Sequence, residues 1–546
     1  YENLSITARC AGTCMSGGAI GESIIMDFSR HMNRLIGGPL PLDGAAVKKE
    51  MLGVVYPLAP SYITVEPGMF YRDFEKITLA KGLILPCYTA SKSLNAVGGM
   101  YGNNSAGERT LKYGKTENYI LESKVVFPDG NEYIVRPLSQ AGLEKKIAQG
   151  DYEGEIYKKI YNLIKENKDE IKQAKPKVSK NSAGYYIWNV MDSENKENSW
   201  SLFHPSDGSG RLENSPYYPS QAENYFDLNK LLVGSQGTLG IVTEITFRII
   251  PDLKHNKLVA IFLKDLSPLG RLVEEIRALN PETLETYDDK TMKLAVRFFF
   301  DFLKNKGFIG MMKFMLSFLP EAFIMATGGF PKLIILAEFA GGNEAEVQAK
   351  CEALEKKIEH FKLKVHITKN QTESNKYWDI RRESFALLRK HVSGKHTAPF
   401  IDDIIVRPEF LPKFLPELKA ILNQYKITFT IAGHAGDGNF HIIPLMDFKR
   451  SDTPKIILEL GEKVYDLVAK YRGSITAEHN DGLIRTPYLN KMYQTHILSL
   501  FKDIKNIFDP KNILNPGKKV ASANQAGTID YISKHIAREH KAVHKV

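Results

Sequence analysis

At 546 residues the chain exceeds one ordinary core: a usual size of roughly 150 residues per domain allows several units, and large cofactor-binding domains reduce that to two plus an insertion. Hydrophobic residues at 43% and charged residues at 25% supply enough apolar surface for a packed interior and exclude a disordered chain. The 73 basic and 63 acidic side chains leave a formal charge of +10, spread along the chain apart from the basic end KHIAREHKAVHKV; such a surplus serves solubility first, suits anionic substrates or an anionic membrane surface second, and gives no sign of a nucleic-acid binder.

In chain order, YENLSITARC begins directly in a strand that leads into a glycine-rich turn, so the natural N-terminus is expected further upstream. Short β-branched strands follow, SIIMDFS and SYITVEPG, and then ILESKVVFPDGNEYIV, in which Asp129-Gly130 between two apolar runs predicts a hairpin. Residues 140–225 change character: rich in Lys, Glu, Asn and Ser, opening with the helical EIYKKIYNLIKENKDEIKQA, they read as a polar insertion carried on the surface. FDLNKLLVGSQGTLGIVTEITFRIIP, from 226 to 251, predicts a buried strand pair around a glycine turn. From 253 to 480 the grammar is mixed, strands KLVAIFL and KLIILAEFA alternating with helices such as EAEVQAKCEALEKKIEHF. Within it, residues 295–326 form an apolar, lysine-dotted segment that reads as a helical insertion or as a helix lying on a membrane surface. A segment over 481–520 and a basic tail over 521–546 complete the chain.

Cys10, Cys14, Cys87 and Cys351 form no CxxC pair and no cluster that an iron–sulfur centre or structural zinc requires, so they read as reduced thiols of a cytoplasmic protein. Electrons leaving such a chain must pass to another cofactor or partner. The sequence shows no secretory signal and no continuous transmembrane span, and peripheral contact with the inner face of the membrane rests on the 295–326 segment.

Three motifs carry chemistry. In TARCAGTCMSGGAIGE, small residues at Ala11, Gly12, Gly17, Gly18 and Ala19 let backbone N–H groups approach an anion such as pyrophosphate; a strand follows where a Rossmann turn would open a helix. In the loop over 85–120, Gly98, Gly99, Gly102, Asn103, Asn104, Ser105 and Gly107 suit a flat polar ring lying against backbone. The sharpest motif pairs AGHAGDGNFHIIP with GSITAEHNDGLIR. Two imidazoles, His434 and His441, brought to one side by the bend at glycines 433, 436 and 438, join the Glu478 carboxylate as a ligand set for a divalent metal. His479 is then placed as a general base.

Together these motifs resemble the FAD-linked oxidase family that includes D-lactate dehydrogenase, D-2-hydroxyglutarate dehydrogenase and the glycolate oxidase FAD subunit. RCAGTCMSGG is similar to its first FAD loop, TVEPGMFYRDFEK to the strand and helix after it, GGMYGNNSAGERTLKYG to its isoalloxazine and pyrophosphate loop, and VGSQGTLGIVTE to its second FAD-domain signature. The histidine motifs and FDPKNILNPGKK match its C-terminal half in order.

The resemblance implies an α+β protein with a two-part FAD-binding domain of the vanillyl-alcohol-oxidase (PCMH) type over 1–139 and 226–252. A substrate and metal domain with an antiparallel sheet and covering helices follows over 253–480, and then a segment returning to the flavin. It assigns to FAD Arg9, Ala11, Gly12, Thr13, Ser16, Gly17 and Gly18 of the first loop; Gly98, Gly99, Asn103, Ser105, Gly107, Tyr113 and Gly114 of the second; Gly237 and Ile241 of the third; and Asn515. His434, His441 and Glu478 become ligands to zinc or manganese, His479 the base that removes the hydroxyl proton, and Arg381 of YWDIRRESF the partner of the substrate carboxylate, with Asn439 a lesser neighbour. The implied reaction is oxidation of a D-2-hydroxy acid, D-lactate-like first, by hydride transfer to FAD. The acceptor is a separate quinone, electron-transfer flavoprotein or iron–sulfur subunit. Thr13 stands where covalent relatives carry a histidine, which implies non-covalent FAD.

Cys10 and Cys14 replace usual glycines, Asn480 replaces the glycine after the base, and the family's substrate-site lysine has no match in TAPFIDDIIVRP, Lys395 being too far upstream. That last departure argues weakly against 2-hydroxyglutarate and leaves the choice of substrate open. An alkylglycerone-phosphate-synthase-like transferase and a non-catalytic FAD subunit of an oxidoreductase complex are the alternatives.

Overall fold

The computed structural model describes residues 4–41, 49–51, 54–56, 61–192, 225–297, 331–391 and 394–521. The chain divides into two compact units: the first gathers the residues up to Asp252 and takes the chain up again at Ser474, and the second is Leu253–Gly473. The return therefore comes ahead of the boundary at 480 expected from sequence. Ser182 fixes it there, its backbone N–H donating to the Thr476 carbonyl at 3.0 Å and its hydroxyl to the Ala477 carbonyl at 2.8 Å.

In the first unit, β1 (Ile6–Arg9) and β2 (Ile24–Asp27) pair in parallel, joined by the glycine-rich loop between them. An antiparallel sheet is built from β3 (Leu35–Pro41), β4 (Ser61–Val65), β5 (Ile120–Val126), β6 (Glu132–Val135) and β7 (Ile241–Pro251), in the order β3-β4-β7-β5-β6. β7 is central because its inward residues Ile245, Phe247 and Ile249 are fully buried. Alternation puts Ile63 and Val65 of β4 on the same inner side. Helix α1 (Tyr71–Leu79) buries Tyr71, Phe74 and Thr78, a one-face spacing, and Phe74 meets Phe247 edge-on at 5.8 Å. The expected hairpin stands as β5 and β6, turning through Gly130 at φ 88°.

Two sequence expectations change here. FDLNKLLV is not half of a strand pair: Tyr225–Phe226 is a two-residue strand, and Asn229–Leu232 is a helical turn whose start is fixed by the Asp227 carboxylate accepting from the Asn229 N–H at 3.0 Å. Leu228, Leu231 and Leu232 are all buried, a continuous apolar run that carries no strand period. Nor is 140–225 simply a surface insertion. Tyr152–Glu166 and Lys168–Ala174 are helices, the first burying Ile156, Tyr157, Ile160 and Ile164, and residues 180–185 run through the interior of the unit. Residues 193–224 lie outside the described part.

The second unit is an antiparallel sheet with helices. β8 (His255–Leu263), β9 (Thr283–Asp288), β10 (Leu333–Gly341), β11 (Lys364–Ile367), β12 (Ile404–Ile405), β13 (Thr428–His434) and β14 (Asn439–Met446) run in the order β11-β8-β10-β9-β13-β14, with β12 also paired to β14. Helix α2 (Gln371–His391) covers one face: its Tyr377, Trp378 and Ile380 pack on Leu258, Ala260, Tyr287, Ile334, Leu336 and Ala432. From residue 298, the apolar segment expected over 295–326 lies outside the described residues. Among the described residues no helix is long and apolar enough to cross a membrane.

Candidate active site

In the first unit, the segment carrying Glu478 and His479 is pinned by three glycine-rich loops. Ser16 of the first loop donates its hydroxyl to the His479 carbonyl at 3.0 Å, and the Leu483 N–H donates to the Ser16 carbonyl at 2.8 Å. Asn103 of the second donates its amide to the Glu478 carbonyl at 2.8 Å. From the third, the Gly234 carbonyl accepts from the Asn480 amide at 2.8 Å, and the Gln236 Oε1 accepts from the Gly482 N–H at 2.9 Å. Asn480 sits at φ 66°, a left-handed conformation that asparagine tolerates where a branched residue would strain.

Gln236 and Asn515 are the junctions of this arrangement. The Gln236 backbone N–H donates to the Gly102 carbonyl at 2.8 Å, and the Asn515 amide donates to the Gln236 carbonyl at 2.7 Å and the Gly18 carbonyl at 2.8 Å, while its Oδ1 accepts from the Thr7 hydroxyl at 3.1 Å. Asn515 is wholly buried and its amide is committed to protein, so it organises the loops. Gly98 and Gly107 likewise answer to packing: a Cβ would stand 2.4 Å from Pro67 and 1.9 Å from the Tyr88 carbonyl oxygen, respectively. Tyr113 is buried with its carbonyl accepting from the Tyr119 hydroxyl at 2.8 Å.

Gly99 has the opposite surroundings, with nothing within 4 Å of where a Cβ would stand, and the buried Asn103 Oδ1 has no hydrogen-bond partner among the described residues. Open backbone beside an orphaned polar atom fits a flat polar ligand, and the exposed Gly12 and Thr13 of the first loop fit its charged end. The donor set is thus of the kind a flavin dinucleotide needs.

Sequence reasoning missed a buried lysine group in this unit. Lys180 donates to Glu478 Oε1 at 2.6 Å, both side chains being buried. Lys519 lies 3.0 Å from Asp481 and donates to the Ser182 and Gly184 carbonyls, and Lys115 donates to the Asn181 carbonyl at 2.6 Å. Burial lowers the Lys115 ammonium to about 8 and pulls Lys519 down as well, opposed by Asp481. The signal in sequence was the uncharged, small-residue run NSAGYY directly after Lys180, out of place in a solvated insertion.

In the second unit, β13 and β14 form the hairpin that carries both histidines. Its register pairs Ala432 with His441 and His434 with Asn439, so the two imidazoles share a face as diagonal neighbours, ring centroids 5.3 Å apart and nearly perpendicular. Gly438, at φ 76°, makes the turn. Each ring has a carboxylate behind it: His434 Nδ1 lies 2.5 Å from Glu285 Oε1 and His441 Nδ1 lies 3.1 Å from Asp402 Oδ1. A carboxylate accepting at Nδ1 favours the tautomer whose lone pair is on Nε2, the arrangement that metal-binding histidines need. Arg381 on α2 donates to Glu285 Oε2 at 2.9 Å. Asn439 is fully buried and donates to Asp403 and to the Ile404 carbonyl, each at 3.1 Å. Glu285 and Asp402 were not singled out in sequence; an acidic residue in the middle of the wholly buried strand TLETYD was the available signal.

Residues 1–135 match the family of FAD binding domains, and residues 253–519 that of the C-terminal domain of FAD linked oxidases. A D-2-hydroxyglutarate dehydrogenase of Pseudomonas putida is 25% identical over 525 residues, 95% of this chain and 46% of that protein; the chain thus spans just under half the length of that relative. A glycolate oxidase subunit of Bacillus subtilis is 26% identical over 519 residues (94% of this chain, 82% of that one). A D-lactate dehydrogenase of Archaeoglobus fulgidus is 24% identical over 489 residues (89% and 84%). Among solved structures, 4-ethylphenol oxidase from Gulosibacter chungangensis superposes with a TM-score of 0.58 at 14% identity (96% of this chain, 86% of that one), and an alkyldihydroxyacetonephosphate synthase with 0.57 at 13% identity (94% and 73%). These likenesses establish the fold as the expected α+β architecture of vanillyl-alcohol-oxidase-type flavoproteins.

Proposed function

On the premise that the chain belongs to the FAD-linked oxidases, we propose that it is an FAD-dependent dehydrogenase that oxidises a D-2-hydroxy acid to the 2-oxo acid. The observation that carries the reading is the tethering of the Glu478-His479 segment by Ser16, Asn103 and Gln236, one from each glycine-rich loop. Residues of the kind that bind a flavin thereby hold a base in a fixed place, and fixed placement is the larger part of such catalysis.

Arg381 binds the substrate carboxylate through its planar fork, and His479 takes the hydroxyl proton. His434 and His441 through Nε2, with Glu478, form the ligand set for a zinc or manganese ion. When bound, the ion supplies polarisation that lowers the hydroxyl pKa, and non-covalent FAD supplies the acceptor for the Cα hydride. Lys180 holds Oε1 of Glu478, which favours ligation through the other oxygen. Reoxidation falls to a separate quinone, electron-transfer flavoprotein or iron–sulfur partner. D-lactate-like acids are the first candidates, because no lysine stands in the TAPFIDDIIVRP stretch for a second carboxylate.

The test is anaerobic addition of D-lactate, D-2-hydroxyglutarate and glycolate, with L-lactate as control, to the flavin-loaded protein while its visible absorbance is followed. Bleaching by a D-acid is expected, slowed by about 10²–10⁴-fold in His479→Ala and abolished by chelation. A flavin that stays oxidised with every acid would overturn the dehydrogenase reading and turn attention to a transferase or a non-catalytic subunit.

A further inference from the structure

The antiparallel register of β9 on β13 pairs Tyr287 with Ala432 and Thr286 with Gly433; one step further along, it sets Glu285 opposite His434. That step puts the carboxylate under the sheet face that α2 covers, where it is 1% exposed. Both oxygens are used. Oε1 meets His434 Nδ1 at 2.5 Å and Oε2 meets the Arg381 guanidinium at 2.9 Å.

We infer that Glu285 is a shared positioning residue, one carboxylate that orients both His434 and Arg381 and so couples metal binding to recognition of the substrate carboxylate. The inference rests on the proposed roles of those two residues and adds a third that touches neither metal nor substrate. The chemistry requires an acid at this place. A carboxylate accepts on both oxygens, whereas His434 Nδ1–H and the arginine both donate. By accepting the Nδ1 proton, Glu285 fixes the tautomer whose Nε2 lone pair is available for a metal. By holding one arm of the guanidinium, it fixes the plane of the fork and leaves the remaining donors directed elsewhere. Glutamine keeps the volume but offers one acceptor and one donor, so one of the two partners is met by an opposing N–H. Aspartate is a methylene shorter and cannot span both.

Glu285→Gln is compared with wild type in the full-length holoprotein. Zinc affinity, read as metal per flavin after equilibration with graded chelator, is expected to fall about 10- to 100-fold. At saturating zinc, KM for the D-acid that bleaches the wild-type flavin is expected to stay raised roughly 10-fold, with kcat changed far less. In an Arg381→Ala background, the glutamine substitution should still weaken zinc but raise KM no further. Unchanged zinc affinity, or a KM that returns to the wild-type value at saturating zinc, overturns the shared role while leaving the dehydrogenase reading intact. A wild-type protein that holds no zinc and is bleached by no acid fails at the earlier step and takes the inference with it. If melting shows that Glu285→Gln does not fold, Glu285→Asp is read by the same two measurements and the same outcomes.

Discussion

Lys115 illustrates what a single buried charge does in this molecule. Its ammonium is fully enclosed, held by the Asn181 carbonyl at 2.6 Å and 4.0 Å from Glu117, and burial brings it to about 8 from an ordinary 10.5. Between those two values the unfolded chain keeps a proton that the folded chain has released, so raising the pH through this window favours the fold. Below about 8 the cost of burying the charge is present in full, and above 10.5 it is gone. A Lys115→Met variant lacks that cost, which is of order 3 kcal/mol from the shift, but loses the bond to Asn181, worth about 1–2 kcal/mol. The variant should therefore be the more stable at pH 7 and lose its advantage as pH rises toward 10.5. Denaturant melts of both proteins from neutral pH up to that value check this; a difference that does not move with pH would show that the lysine titrates normally.

At the scale of elements, the histidine hairpin depends on one backbone position. Gly438 sits at φ 76°, and a Cβ there would stand 1.9 Å from the Val406 carbonyl oxygen, an atom that β12 and its neighbours hold in place. Gly438→Ala is expected to add the strain of a left-handed alanine, about 1–3 kcal/mol, to a clash relieved only by moving the hairpin away from β12. Since the two imidazoles are diagonal neighbours across that hairpin, zinc binding should drop as far as in His441→Ala, while Gly394→Ala, a positive-φ glycine with open space around it, should leave zinc bound. Metal analysis of the two variants decides it. This hairpin was legible in sequence because glycines and histidines at short spacing encode it locally. The carboxylates behind the rings were not: Glu285 and Asp402 reach them through strand register and a loop, contacts separated by 149 and 39 residues. The same reason hid Lys180, 298 residues from Glu478, inside a stretch whose average polarity points to the surface. FDLNKLLV was misread for a different reason, since a short continuous apolar run has no period to tell helix from strand.

For the whole molecule, the division of the chain places the flavin loops and the two imidazoles in different units. The three glycine-rich loops that meet at Gln236 and Asn515, with the Glu478-His479 segment, belong to the first unit; His434, His441, Glu285 and Arg381 belong to the second. Loss of an imidazole ligand should then leave flavin retention intact. Asn515→Ala removes three buried hydrogen bonds that tie β1, the first loop and the third loop together, a loss of about 2–4 kcal/mol concentrated on the flavin-binding loops. The expected product is a protein poor in flavin that still takes up zinc. His441 belongs to the second unit, so the flavin content and visible spectrum of His441→Ala should match wild type, yet a D-2-hydroxy acid should no longer bleach it at the wild-type rate. Paired flavin and metal stoichiometries on the two variants make the comparison. If His441→Ala loses its flavin, or Asn515→Ala loses zinc in proportion to flavin, the flavin loops and the imidazole ligands do not act separately, and the assignment of the cofactor to the loops of the first unit and of the two imidazole ligands to the second must be redrawn.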